Sequence, residues 1–94
     1  MPTLTSFAEM SSKTAPTGKQ IVAARGLLEM TQPQLAEASG VGLTTIVDFE
    51  TSKRLPRRAT LAALQEALER RGIEFLNGGE PGVRLKPSKA LIPT

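Results

Sequence analysis

The segment that most constrains the fold is TQPQLAEASGVGLTTIVDFE, at residues 31–50. It contains two short helical patterns on either side of the turn sequence ASGVG. Thr31 and Gln34 match a capping box at the start of the first helix, and Gly40 stands where a helix C-terminus favours a left-handed residue. The second helix is predicted over about residues 42–50. Because isolated helices of about two turns are marginal in water, other elements must support this corner.

Two flanking segments carry the apolar stripes that such support requires. Residues 17–30 place three apolar side chains on one helical face, namely Ile21, Ala24 and Leu28. The helix predicted from Pro56 to about Arg71 has an equivalent stripe of Leu61, Leu64 and Leu68. Within the first segment, Gly26 weakens the helix by roughly 1 kcal/mol relative to alanine. A glycine at such a position often allows another backbone to come close.

The ends of the chain differ in character from this helical part. After Gly72 the apolar residues alternate with polar ones on either side of NGGEPG, which predicts a hairpin over residues 73–86. Residues 87–94 are predicted to be a frayed tail. Residues 1–16 are rich in Ser, Thr and Pro and are predicted to be a loose arm. Their apolar residues Leu4, Phe7 and Met10 leave open a short helix that docks on a partner.

The composition of the chain limits the classes of function that it can have. A chain of 94 residues predicts one domain, and 39% hydrophobic residues with no long apolar run predicts no membrane span. Without histidine or cysteine the chain lacks the commonest general base, the commonest borderline metal ligands and any disulfide. We therefore expect no enzyme activity, no metal site and no cofactor. No signal-peptide pattern is present, and a cytoplasmic protein is expected.

The overall charge of +3 carries little weight, but its distribution is informative. Four cations fall within six residues, directly after the second helix of the corner: Lys53, Arg54, Arg57 and Arg58. A helix-turn-helix corner presents its second helix outward, and a DNA major groove is wide enough to admit one. The corner and the basic segment together therefore predict contact with double-stranded DNA.

The corner, its basic loop and the following leucine-striped helix resemble the phage-repressor/Cro-type (XRE) helix-turn-helix family over roughly residues 17–71. The resemblance rests on a set of positions filled together: Gln32, Leu35-Ala36, Ser39-Gly40-Val41, Ile46 and Phe49-Glu50. It implies a mainly α fold, a four- to five-helix repressor-like domain over residues 17–72 with a short C-terminal β-strand or hairpin. It also implies a sequence-specific regulator of transcription, most simply a repressor.

The resemblance implies base contacts from the outward face of the second helix. Leu43 and Thr44 stand where the family reads base edges, and Leu43 replaces the usual polar residue, which leaves it contact with a thymine methyl. Asp48 on the same face could accept from a cytosine amino group. The alternatives are a partly buried position for Leu43 and an ion pair from Asp48 to Lys53 or Arg54.

Contacts to the DNA backbone are implied for Gln32, Thr45, Lys53, Arg54, Arg57 and Arg58. Such contacts set affinity and salt dependence without choosing sequence. The alternatives are ordinary capping by Gln32, local hydrogen bonding by Thr45 and a solvated basic loop. Arg25 and Glu50 resemble a buried structural ion pair that links the first and third helices in some members of the family.

Members of the family usually bind as dimers on near-palindromic sites, so a homodimer is expected. The hairpin residues Ile73, Phe75, Val83 and Leu85 are the predicted dimerisation element, because a lone hairpin is marginal. The alternative is a hairpin folded back on its own helices. A second function class also remains open, an antitoxin-like or interaction module that uses this domain to bind a protein partner.

Overall fold

The computed structural model describes residues 15–86, which form four helices and one hairpin. In chain order these are α1 (Gly18–Leu28), α2 (Gln32–Ser39), α3 (Leu43–Glu50), α4 (Arg58–Glu69), β1 (Ile73–Leu76) and β2 (Gly82–Leu85). The predicted mainly α fold with a C-terminal hairpin is confirmed. The expected arm lies outside the described residues up to residue 14, and so does the expected tail over residues 87–94.

Local sequence accounts for where the first two helices begin. Thr17 caps α1 and Thr31 caps α2, and each forms a full capping box with a glutamine three residues later. In the second box the side-chain oxygen Oε1 of Gln34 accepts a hydrogen bond from the backbone amide of Thr31 at 2.8 Å. The left-handed Gly40, with φ of 77°, ends α2 as predicted.

Helix α4 is shorter than predicted at both ends. It begins at Arg58 rather than Pro56, because Arg57 is extended and the first helical hydrogen bond runs from the Leu61 amide to the Arg57 carbonyl at 2.9 Å. It ends at Glu69 rather than about Arg71. The amides of Arg71 and Gly72 bond three residues back instead of four, so the last turn tightens before the left-handed Gly72.

One core unites all the helices with the hairpin. Its buried apolar residues are Ile21, Ala24, Leu35, Ile46, Phe49, Leu64, Ala67, Leu68 and Ile73. The two inward residues of α3, Ile46 and Phe49, belong to this core. Burial of their side chains supports a helix that is too short to be stable alone.

The hairpin is antiparallel, with Ile73 opposite Leu85 and Leu76 opposite Gly82. It is tied to α1 by Gln20, whose side-chain amide donates to the carbonyls of Leu76 and Gly82 at 3.3 and 2.9 Å. Its amide oxygen accepts from Thr17 at 2.9 Å, so this buried glutamine completes the cap of α1 as well. The hairpin therefore folds back on its own helices.

The close backbone approach that a glycine such as Gly26 can allow occurs at Gly18 instead. Gly26 is exposed, and a Cβ added there would meet no atom within 4 Å. At Gly18 an added Cβ would collide with the Phe49 carbonyl oxygen and lie 3.2 Å from Glu50 Cα. The start of α1 thus rests directly on the end of α3, and only glycine allows this contact.

Gly18→Ala should lower the free energy of unfolding by about 1–3 kcal/mol, because the new methyl group forces α1 away from the α3 backbone. Gly26→Ala is the matched control. It should raise stability by about 0.5–1 kcal/mol, since alanine is the better helix former and the site is open. Urea unfolding followed by circular dichroism measures both. A neutral Gly18→Ala variant would contradict the close approach.

Candidate nucleic-acid interface

The outward face of α3 is the most prominent feature of the corner. Leu43 is 43% exposed and Thr44 is exposed, whereas Thr45 and Asp48 are half-buried. Ile46 and Phe49 on the opposite face are fixed in the core. The helix therefore offers a mixed apolar and polar surface to a partner while its other face holds it in place.

The turn between α2 and α3 is fixed by one serine. The Ser39 hydroxyl donates to the Leu35 carbonyl at 2.7 Å and accepts from the Val41 amide at 3.2 Å. Gly40 donates to the Ala36 carbonyl at 2.9 Å. These bonds pair the backbone groups left over at the end of α2, so the corner has a defined angle.

Glu50, the last residue of α3, is held by two other helices. The Arg25 guanidinium of α1 makes two hydrogen bonds to its carboxylate, both at 2.7 Å, and a third at 2.9 Å to the Met30 carbonyl. The Glu50 side chain is 3% exposed and the Arg25 side chain 17%. The hydrogen bonds that Arg25 donates to Glu50, together with the negative charge of that carboxylate, raise the pKa of Arg25 above its usual value, so the guanidinium stays charged at any ordinary pH.

Gln32 supplies the third hydrogen bond to this carboxylate. Its side-chain amide donates to Glu50 Oε1 at 2.8 Å. From sequence, Gln32 was expected to contact a DNA phosphate or to be an ordinary exposed capping residue. Its bond to Glu50 could not be predicted, because the two residues are 18 positions apart in the chain. The half-buried Gln32 therefore joins α2 to the same carboxylate that joins α1 and α3.

The basic loop presents its charges to solvent. Lys53, Arg54, Arg57 and Arg58 are all exposed, and Leu55 between them is 76% exposed. The loop backbone is ordered by amides of Lys53 and Arg54 that donate to the Asp48 carbonyl at 2.8 and 3.3 Å. Within residues 15–86, none of the four cations forms an ion pair.

Two of these cations oppose the dipole of α4. Arg57 is its N-cap and Arg58 its first residue, and the first turn contains no acidic residue. Cations beside the positive end of a helix are unfavourable by about 0.3–1 kcal/mol each at low salt. An anion bound there would remove this cost, so the local electrostatics favour a negatively charged partner.

The ion pair from Asp48 to Lys53 or Arg54, considered from sequence, does not form. Within the described part of the chain the Asp48 carboxylate has no ion-pair partner; its main-chain carbonyl makes the contacts to the loop. The carboxylate stays available on the outward face. Similarly, the Thr45 hydroxyl makes no local hydrogen bond among residues 15–86, although Thr45 was a candidate for one.

The four residues predicted for dimerisation pack against the core of their own chain. Ile73 is 2% exposed, and Phe75, Val83 and Leu85 are partly buried against the same cluster. This is the alternative arrangement that the sequence left open. Their side chains are thus committed largely within the chain, and a second copy would meet mainly the strand edges.

Residues 15–86 contain neither a candidate membrane span nor a candidate metal site. No helix in residues 15–86 is long and apolar enough to cross a membrane. The same residues contain no cluster of three or more acidic side chains that could hold a metal ion, and the sequence supplies no histidine or cysteine.

Comparison with known families decides the assignment. The helix-turn-helix family model HTH_3 matches residues 21–76, which is more than half of the chain and includes the whole corner. The chain belongs to the HTH_3 helix-turn-helix family. This family contains DNA-binding regulators of the XRE type, not enzymes. A search of curated proteins found no match.

As an HTH_3 member the protein is a DNA-binding regulator, which confirms the class predicted from the corner. The matched residues include α2, α3 and all of α1 except its first three residues. These are the helices that Glu50 joins. The family also accounts for the exposed face of α3, since this is the helix that a helix-turn-helix places in the major groove.

Arg25→Leu should lower the free energy of unfolding by about 3–5 kcal/mol, because it leaves the Glu50 carboxylate buried without its cation. Arg84→Leu is the matched control: it removes the exposed Arg84–Glu74 pair, also at 2.7 Å, and should change the free energy of unfolding far less than Arg25→Leu, because solvent screens an exposed pair. Chemical denaturation of both variants makes the comparison. Equal losses would mean that the buried pair does not anchor α3.

Proposed function

We propose that this protein is a transcriptional repressor that binds a near-palindromic operator as a homodimer, with α3 in the major groove. The observation that carries the proposal is the exposed face of α3 beside four unpaired cations, on a helix fixed from behind by Arg25 and Glu50. Repression is the simplest outcome, because a protein that occupies its operator excludes others from the same DNA. The protein would act on DNA in the cytoplasm.

Base readout is assigned to Leu43, Thr44 and Asp48. The exposed Leu43 offers an apolar contact to a thymine methyl, and the exposed Thr44 offers a hydroxyl to a base edge. The unpaired Asp48 carboxylate accepts from a cytosine amino group. A carboxylate near DNA phosphates is repelled by them, which weakens binding to DNA of any sequence. Asp48 therefore contributes selectivity at the expense of affinity.

Contacts to the DNA backbone are assigned to the four cations of the basic loop and to two residues in the helices of the corner. The loop residues are Lys53, Arg54, Arg57 and Arg58, and the corner residues are Gln32 and Thr45. The loop cations gain most, because phosphates would neutralise charges that lie beside the positive end of α4. Gln32 keeps a second amide proton while it bonds to Glu50, and that proton can reach a phosphate. Thr45 offers its unbonded hydroxyl.

Selection of random duplex DNA by the purified protein at about physiological salt should enrich an inverted repeat with half-site centres about 34–36 Å apart. Asp48→Ala should lose the preference for cytosine at one position of each half-site while binding all sequences somewhat more tightly. Thr44→Ala should relax a different position. If no sequence is enriched, and if the DNA is released from the protein as salt rises, the protein is attracted only to the phosphate backbone. The corner is then a surface that docks a protein partner.

Arg54→Ala should weaken binding to all sequences alike and reduce the slope of log K against log salt by about 1 for each bound protomer. Arg70→Ala is the matched control, because Arg70 is an exposed cation at the other end of α4, paired with Glu66 at 3.8 Å. That variant should leave the slope unchanged. Fluorescence anisotropy on one operator over a salt series measures both slopes, and identical slopes would remove the loop from the interface.

A further inference from the structure

A groove lies between the basic loop and the helices that surround it. Its sides are formed by the segment leading into α1, the end of α3, the basic loop and one face of α4. Its volume is about 980 Å³, which lies at the upper end of the range for small-molecule sites, and such sites are common between packed helices. None of the three residues proposed for base readout lines it, so the groove is distinct from the outward face of α3.

Much of the groove lining is apolar. Pro16 is buried, Phe49 is 5% exposed and Leu61 is half-buried, so these side chains are held in place by the packing of the fold. Leu55 also lines the groove, but it is 76% exposed, more than any other large apolar side chain of the described chain. A ligand in the groove would remove this surface from water, which favours a ligand with an apolar part.

The charged residues that line the groove are all cations. They are Lys53, Arg54 and Arg58, each of them exposed and, within residues 15–86, without an ion-pair partner. No acidic side chain of the described residues lines the groove. The Ser52 hydroxyl, which forms no hydrogen bond with another described residue, adds a neutral donor. Charges of one sign beside apolar walls strengthen the local field, so the ligand that complements this groove is an anion.

We propose that the groove binds a small organic acid with an apolar body, such as a medium-chain fatty acid or an aromatic carboxylate. The apolar body would lie against Phe49, Leu55 and Leu61, and the carboxylate would pair with Arg54 and Arg58. A bare anion leaves the apolar lining in water, and a DNA phosphate does the same because it has no apolar part. An uncharged apolar molecule leaves the cations unpaired. A molecule with both parts matches the whole lining.

Binding of the acid would oppose binding of DNA, and this step rests on the function proposed above. The three groove cations are among the side chains assigned there to DNA phosphates. A bound carboxylate would neutralise part of their charge, so fewer counterions would be released when DNA binds. By linkage, the acid weakens affinity for the operator by the same factor by which DNA weakens affinity for the acid. The groove would thus be an effector site that releases the regulator from its operator.

Amide chemical shifts in NMR spectra of the full chain, titrated with octanoate in the absence of DNA, test the site. The largest shifts should fall on the basic loop and on Leu61, Ala62 and Gln65 of α4, with a Kd on the order of 0.1–1 mM. Acetate has the charge alone and octan-1-ol the apolar body alone, and each should bind at least about tenfold more weakly. Equal binding of acetate or of octan-1-ol, or shifts that lie elsewhere, would overturn the site.

Two matched pairs of variants test the lining of the groove. Arg58→Ala should weaken octanoate binding about threefold to fivefold, whereas Arg57→Ala, at an exposed cation that does not line the groove, should leave it unchanged. Ala62→Phe should fill the groove and block octanoate, whereas Ala59→Phe, at an exposed alanine of the same helix outside the groove, should not. Circular dichroism verifies that each variant is folded. Octanoate binding that ignores both Arg58→Ala and Ala62→Phe would overturn the assignment.

Fluorescence anisotropy on the selected operator, at constant ionic strength, tests the coupling between the acid and DNA. Saturating octanoate should weaken operator binding by about fivefold or more, and the same concentration of acetate should not. The Ala62→Phe variant should bind the operator but be insensitive to octanoate. An operator affinity that does not change when octanoate fills the groove would overturn the competition.

The site and the regulator model fail separately. If DNA selection enriches an inverted repeat but octanoate does not bind in the groove, the operator model stands and the effector site is overturned. If octanoate binds in the groove but no DNA sequence is enriched, the site stands and the regulator model fails.

Discussion

The carboxylate of Glu50 joins the first three helices of the fold. It is buried at the end of α3 and receives hydrogen bonds from α1 and α2, through Arg25 and Gln32. A buried carboxylate is expensive unless it is paired and fully bonded, so any shift of α3 that broke these contacts would be costly. The three helices therefore have one relative arrangement, which holds the eight-residue α3 in a fixed orientation.

The solvent-facing surface around α3 and the basic loop carries small energetic costs that a negatively charged partner would offset. Arg57 and Arg58 oppose the dipole of α4, Leu55 is largely exposed, and the carboxylate of Asp48 makes no ion pair within residues 15–86. Each of these features slightly lowers the stability of the unbound protein, whereas the inner face of α3, with Ile46 and Phe49, is packed in the core. Local rules are thus broken at the surface proposed to bind DNA and kept in the core.

The fold was largely predictable because its determinants are local. Capping boxes, the glycine at the end of α2 and the apolar periods of α1 and α4 depend on residues a few positions apart, and they located every helix that the structure describes. The differences lie at one helix boundary and where distant contacts decide. Pro56 suits a helix start, yet the extended Arg57 beside it delays α4 to Arg58. The glycine on which another backbone rests is Gly18, because α3 lies beside it. The candidate site follows the same division: the outward residues of α3 follow from helical spacing, but the bond from Gln32 to Glu50 does not.

The sequence by itself determined the class of protein, since a two-helix corner with its basic loop and filled apolar positions is a local pattern that specifies a helix-turn-helix. Tertiary structure alone decided where the hairpin goes. Its alternating residues could have met a second copy, but the buried Gln20 bonds both strands to α1 and Ile73 enters the core. The physical reason is that amphipathic patterns state which side chains must be buried but not against what. The partner is chosen by hydrogen bonds and packing between residues that are far apart in the chain.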